Sequence, residues 1–245
     1  MVDWRDPPAG TLPLSLPPGD IHIWRVNLAR PGAEVAALAP LLHPDEAARA
    51  ARFHFARDRR RYTVARAALR LILGRYLGQP PAGIDIGYAK HGKPHLPHHP
   101  ALQFNLAHAH ELALLAVAPG RVVGIDLEYR LRPLPDRLPI AQRFFAPAEY
   151  AALQALPPAQ QPAAFLNGWT RKEAFIKALG EGLTHPLNSF TVTLRPGEPA
   201  RFLDIGGDPA GAAHWSLLAF DPAGEYVAAL ATPGPINHCH YWHFN

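Results

Sequence analysis

A single cysteine, Cys239, stands in 245 residues. That excludes an internal disulfide and a thiolate metal cage. No run of about 18 apolar residues occurs, so no membrane-spanning helix is expected. The opening MVDWRDPPAG has no basic start followed by an apolar stretch, and a secretory signal is not expected. Together these absences favour the cytoplasm. Gly-x-Ser-x-Gly and P-loop patterns are missing, which leaves no case for a serine hydrolase or an NTPase. Lysine is scarce: Lys90, Lys93, Lys172 and Lys177 are all there are, so arginine supplies nearly all the positive charge.

What is present suffices for a real core. With 48% hydrophobic and 18% charged residues, the chain makes one large domain or two small ones. The net charge is only +4, and the excess is local: eight arginines and three acids lie between Asp45 and Arg70. A solvated helix face is one reading of such a run, and a surface for a polyanion or an acidic protein is the other.

The first 20 residues, rich in Pro and Gly, read as an irregular arm. Asp20–Leu28 alternates apolar and polar residues as a strand does. A helical reading covers Pro44–Tyr76 in one or two pieces, with Gly74 and Gly78 near its end. His91–Pro100 is a turn-rich loop. Leu102–His108, Glu111–Ala118 and Arg121–Tyr129 read as strands, then Ala146–Leu156 and Pro162–Leu179 as helices, with Gly180 a natural stop. Further strands are expected at Ser189–Leu194, His214–Phe220 and Glu225–Ala231. YTVARAALR (62–70) echoes WTRKEAFIK (169–177), and LALLAVAPG (112–120) echoes YVAALATPG (226–234). Either an α+β half is duplicated, with a ligand cleft between the copies, or an Ala-rich chain matches itself by chance.

Two segments carry chemistry. In GIDLEY, Asp126 and Glu128 are i and i+2 and share one face of a strand. Paired carboxylates repel unless a cation or proton compensates, and such hard oxygen ligands suit Mg²⁺ or Mn²⁺. A strand with a merely solvated face would carry the same pattern. In WTRKEAFIK, Glu173 and Lys177 stack one turn apart on a helix. They are an ordinary i,i+4 ion pair, or a third carboxylate for the same ion with an ammonium beside it for a phosphate.

HGKPHL, FNLAH, GIDLE, RFFAPAEY and WTRKEAFIKALGEGL follow one another in this order. The combination resembles the Sfp-type 4′-phosphopantetheinyl transferases, over about Pro44–Leu194. The resemblance implies an α+β fold of two similar halves, residues 1–120 and 121–245, related by a pseudo-twofold. Each half would pack a small, mainly antiparallel sheet on a long helix, with the ligand cleft between them. It implies transfer of phosphopantetheine from coenzyme A to a serine of an acyl or peptidyl carrier protein, with release of 3′,5′-ADP. Asp126, Glu128 and Glu173 would ligate Mg²⁺, Glu173 would accept the serine proton, and Lys177 would meet the diphosphate. Arg49, Arg61, Lys93, Pro94 and His108 would hold the nucleotide end. Lys172 joins this binding set, paired with Glu149.

The sequence departs from the family at Ala107, where a serine is usual, which removes one hydroxyl contact to the nucleotide. Glu46 stands where a basic residue is found in some members, so Arg49 takes that role. Two other readings stay open. One is a nucleic-acid binder built on Arg59-Arg60-Arg61-Tyr62, against which the acids of GIDLE would repel a backbone, so nucleic acid is not the expected partner. The other is a degenerate transferase that binds coenzyme A without turnover. The histidines of HCHYWH (238–243) and HLPHHP (95–100) lack zinc spacing and read as a disordered or packed terminus and a proline-broken loop. A duplicated chain makes its own cleft and is expected to act as a monomer.

Overall fold

Strand β1 (Ile21–Asn27) is followed by α1 (Gly32–Leu38), α2 (Pro44–Ala51) and α3 (Ala56–Leu77). A two-residue ladder, β2 (Gly87–Tyr88) with β3 (Pro94–His95), leads to the hairpin β4 (Leu102–Ala109) and β5 (Leu112–Pro119). The second part runs β6 (Gly124–Tyr129), α4 (Arg137–Phe144), α5 (Pro147–Gln154) and α6 (Gln161–Leu179). It continues with β7 (Phe190–Val192), β8 (Phe202–Ile205), α7 (Pro209–Ala212), β9 (Trp215–Phe220), β10 (Tyr226–Pro233) and β11 (Cys239–Phe244). This is a computed structural model, and it describes residues 2–8 and 13–245, the side chain of Leu183 excepted. Part of the expected N-terminal arm, residues 9–12, therefore lies outside the described residues. Among the described residues no helix is long and apolar enough to cross a membrane.

Two sheets carry the architecture. The first has the order β11-β1-β5-β4 and the second β6-β10-β9. Strand alternation gives each sheet two apolar faces. On β5, Ala113, Leu115 and Val117 face α3, while Leu112, Leu114, Ala116 and Ala118 face the other sheet. On β10, Ala228 and Leu230 face the first sheet, while Ala229 and Ala231 lie under α6. The result is four layers: α3, first sheet, second sheet, α6. The order strand–helix–hairpin, β1-α3-β4-β5, recurs as β6-α6-β9-β10. The two sequence echoes fall on the paired helices α3 and α6 and on the paired central strands β5 and β10.

The helical stretch expected over Pro44–Tyr76 is two helices, α2 and α3, with a break at residues 52–55. Gly78 ends α3 in the left-handed conformation (φ +63°), and Gly180 ends α6 likewise (φ +76°). The histidine-rich terminus is a strand. β11 pairs in parallel with β1 from Ile21↔Cys239 to Val26↔Phe244, so a segment counted with the second half hydrogen-bonds into the first sheet. All six of its residues are half-buried. His238 and His240 are both held by Asp20, at 3.2 Å each.

Candidate active site

Alternation on β6 buries Ile125 and Leu127 between the sheets and turns Asp126 and Glu128 to the α6 side. Helix α6 lies unusually close there. A Cβ on Gly124 would stand 2.0 Å from the Ala174 carbonyl oxygen and 2.3 Å from the Ala178 nitrogen. Only glycine permits this approach. It sets Glu173 and Lys177 against the two strand carboxylates. The Lys177 ammonium contacts Asp126 Oδ1 at 2.5 Å, while Asp126 Oδ2 is buried with no hydrogen-bond partner among the described residues.

Negative charge is in excess at this point. Burial, then repulsion from Asp126, pushes the Glu128 carboxyl up to about 7, although Arg132 lies 3.2 Å away. Burial and Asp126 raise Glu173 as well. Burial by itself would lower Lys177, but Asp126, Glu173 and Glu128 outweigh it and hold its ammonium above the usual lysine range. The three carboxylates thus act on one another and on one ammonium. Among the described residues no three of His, Cys, Asp or Glu form a ready metal cage. The orphaned Asp126 oxygen and the unrelieved charge are nevertheless what a hard divalent cation would satisfy.

Beside this cluster, on the α3 side of the first sheet, lies a cavity of about 610 Å³. Arg49, Arg61, Pro94 and His108 line it, together with Tyr62 and Tyr88. His108 joins the two regions: its imidazole pKa is lowered by burial, then by Lys177 and Arg61. The edges β4 and β6 meet here, and the Ile125 N–H donates to Asn105 Oδ1 at 2.9 Å. Arg49 stacks over the Tyr62 ring at 5.5 Å.

Two residues expected in the binding set have other partners. Lys172 is fully buried, and its ammonium donates to Glu149 (2.8 Å), Leu187 O (2.8 Å) and Phe190 O (2.6 Å). With its three hydrogens engaged inside the core, it does not reach the cavity. Its placement about 100° round the helix from Glu173 turns it into the core, so, against expectation, Lys172 is not a ligand-binding residue. Lys93 donates to Ala178 O at 2.7 Å and Val123 O at 3.3 Å, closing the carbonyl end of α6, and burial lowers its pKa to about 8. Glu46 is likewise internal. It accepts from Arg66 and Arg70 and from the His43 N–H that starts α2. Ala107 packs between the sheets, on the strand face opposite His108.

Residues 29–120 match the family described as 4′-phosphopantetheinyl transferase, N-terminal, and residues 122–231 match the 4′-phosphopantetheinyl transferase superfamily. HetI, a 4′-phosphopantetheinyl transferase of Nostoc sp., is 43% identical over 94% of this chain and 95% of its own length. The chain belongs to the 4′-phosphopantetheinyl transferase superfamily. A 4′-phosphopantetheinyl transferase of Bacillus subtilis is 32% identical, covering 88% of this chain and 93% of itself. The transferase Sfp of B. subtilis strain 168 is 32% identical over 62% of this chain and 66% of its own.

In this member of the superfamily, sequence reading missed the cavity's aromatic wall and Glu111. Tyr62 reads in the sequence only as a neighbour of arginines, and Tyr88 carries no signal there. Glu111 holds Arg60 and Arg61, which lie 51 and 50 positions away, so no local pattern could reveal it.

Proposed function

We propose that the chain transfers 4′-phosphopantetheine from coenzyme A to a serine hydroxyl of an acyl or peptidyl carrier protein and releases 3′,5′-ADP. The observation that carries this reading is the convergence of Asp126, Glu128, Glu173 and Lys177 beside the cavity lined by Arg49, Arg61 and His108. An acidic cluster that would hold a cation, beside a basic cavity, suits a substrate that carries a diphosphate and a further phosphate on its nucleotide. Asp126, Glu128 and Glu173 would hold Mg²⁺, or Mn²⁺ in its place. The ion, when bound, supplies neutralisation of the diphosphate oxygens.

The chain's own groups do the rest. Glu173 takes the proton of the attacking hydroxyl. The serine oxygen bonds to the β-phosphorus, and the phosphoanhydride bond to 3′,5′-ADP breaks with its electron pair on the leaving oxygen. Lys177 remains charged and donates to the developing anion. His108, Arg49 and Arg61 hold the nucleotide end, with Pro94 shaping the wall.

The test is the intact mass of several apo carrier proteins after incubation with this chain, coenzyme A and Mg²⁺. A gain of one phosphopantetheine, abolished by chelator, is expected. No gain on any fatty-acid, polyketide or peptide-synthase carrier would overturn the reading.

A further inference from the structure

We infer that Glu111, at the tip of the β4–β5 hairpin, is a positioning residue that holds Arg61 in the wall of the cavity. The inference rests on the transferase reading only for the identity of the ligand. A single carboxylate oxygen, Oε1, accepts from Arg61 Nη2 at 2.7 Å and from Arg60 Nη2 at 3.1 Å. The Glu111 carboxylate is three-quarters covered, at 23% side-chain exposure, and Arg61 more so, at 15%. Its second oxygen, with the Nε of both arginines, is buried and unpartnered among the described residues. A pair of fork-shaped guanidiniums converging on one oxygen, instead of each taking both, is not the arrangement that maximises ion pairing. It is one that fixes a direction. Arg61 is also 3.6 Å from Asp58 on its own helix, a weaker contact on the other side of the guanidinium.

The tip is itself held rigidly, so it can orient what it grips. His110 takes a left-handed backbone (φ +49°), which a non-glycine residue adopts only where its surroundings compensate. Its ring stacks on Tyr129 of β6, centroids 4.4 Å apart and planes at 9°. The Leu28 N–H, just beyond β1, donates to the Glu111 carbonyl at 2.9 Å. The hairpin is therefore clamped between the end of the first sheet and the β6 strand that bears Asp126 and Glu128. Through Glu111, that fixed tip sets the rotamer of an arginine on α3, on the other wall of the cavity. A free arginine loses rotamer entropy when it grips an anion, and one already oriented loses less.

Glu111 also opposes an incoming anion by its own charge. Orientation and opposition predict different outcomes, and a double-mutant cycle separates them. The affinity of the full chain for coenzyme A is measured calorimetrically in Mg²⁺ without a carrier, so that nothing turns over. Glu111→Ala is expected to weaken binding about tenfold, the size of one charge-assisted hydrogen bond. Glu111→Gln, which keeps an acceptor oxygen, is expected to recover most of the loss. In an Arg61→Ala background, Glu111→Ala should change affinity by less than about twofold. If both Glu111 variants bind as tightly as the unaltered chain or tighter, or if the loss persists undiminished without Arg61, the inference is wrong. A parallel arm needs no coenzyme A: phenylglyoxal modification of Arg61, read by peptide mass, should rise in Glu111→Ala, and an unchanged rate overturns the inference. Failure of the unaltered chain to bind coenzyme A would instead count against the transferase reading, with the modification arm still deciding the role of Glu111. Should Glu111→Ala not fold, Glu111→Asp, one methylene short of Arg61, replaces it in both arms.

Discussion

At the scale of single residues, the lysines of α6 divide by what surrounds their ammonium groups. Lys177 meets unrelieved carboxylates at the site, whereas Lys172 meets one carboxylate and two carbonyls inside the core. Burial raises Glu149 and lowers Lys172, so each charge depends on the other. Lys172→Met should therefore strand the Glu149 carboxylate and cost about 3–5 kcal/mol in a urea titration, while Lys172→Met with Glu149→Leu should recover much of it. Coenzyme A affinity of the folded single variant should change little. Glu173→Ala behaves oppositely: it removes the proposed base, and kcat should fall about 10²-fold or more with little change in melting temperature. A Glu173→Ala protein with ordinary turnover would remove that residue from the mechanism. The arginine run also divides. Arg66 and Arg70 are buried partners of Glu46, and Arg60 and Arg61 are partners of Glu111, whereas Arg52, Arg57 and Arg59 face solvent. Much of the apparent basic face is internal ion pairing.

Among the elements, the contact of α6 with β6 matters most. Ala174 and Ala178, both fully buried, are the small residues that let the helix settle on the strand, and Gly124 is the strand's half of that fit. A methyl at Gly124 meets backbone atoms of α6, which cannot rotate away. Gly124→Ala should lower stability by about 1–3 kcal/mol, and by more if the helix cannot shift. Whatever stability remains, transfer activity should drop, because any shift of α6 separates Glu173 and Lys177 from Asp126. Full activity in a folded Gly124→Ala protein would show that this spacing is not critical. The long helices and the hairpin were legible beforehand, since apolar periodicity and Gly stops are local signals. β8, α1 and α4 were not. They are short, and they are stabilised by what they pack against rather than by their own pattern.

For the molecule as a whole, β11 joins the two ends of the chain, and His22 on β1 lies under it. The imidazole Nδ1 is 2.8 Å from the Tyr76 hydroxyl, and its ring contacts His240 and Trp242. Burial, then His240, lowers its pKa from 6.5 to about 4, against the opposing pull of Asp20. Between those values the unfolded chain binds the extra proton. The contribution of His22 to stability is thus complete above pH 6.5 and is lost as pH falls through 4, with a slope of at most about 1.4 kcal/mol per pH unit. Urea titrations from pH 4.5 to 7.5 should show a steeper decline for the unaltered chain than for His22→Phe, and parallel curves would refute the assignment.

Read alone, the order of amino acids left open whether the echo between the halves is a true repeat, and it determined the α+β class and the carboxylates of β6 and α6. These follow from periodicity, from i, i+2 and i, i+4 spacing, and from a motif order shared with a family. Only the tertiary structure decided that Lys172 is core while Lys177 stands against Asp126. It alone showed that the last strand completes the first sheet and that Glu111 grips Arg61. Those outcomes depend on which distant groups share a low-dielectric space, and separation along the chain says nothing about that.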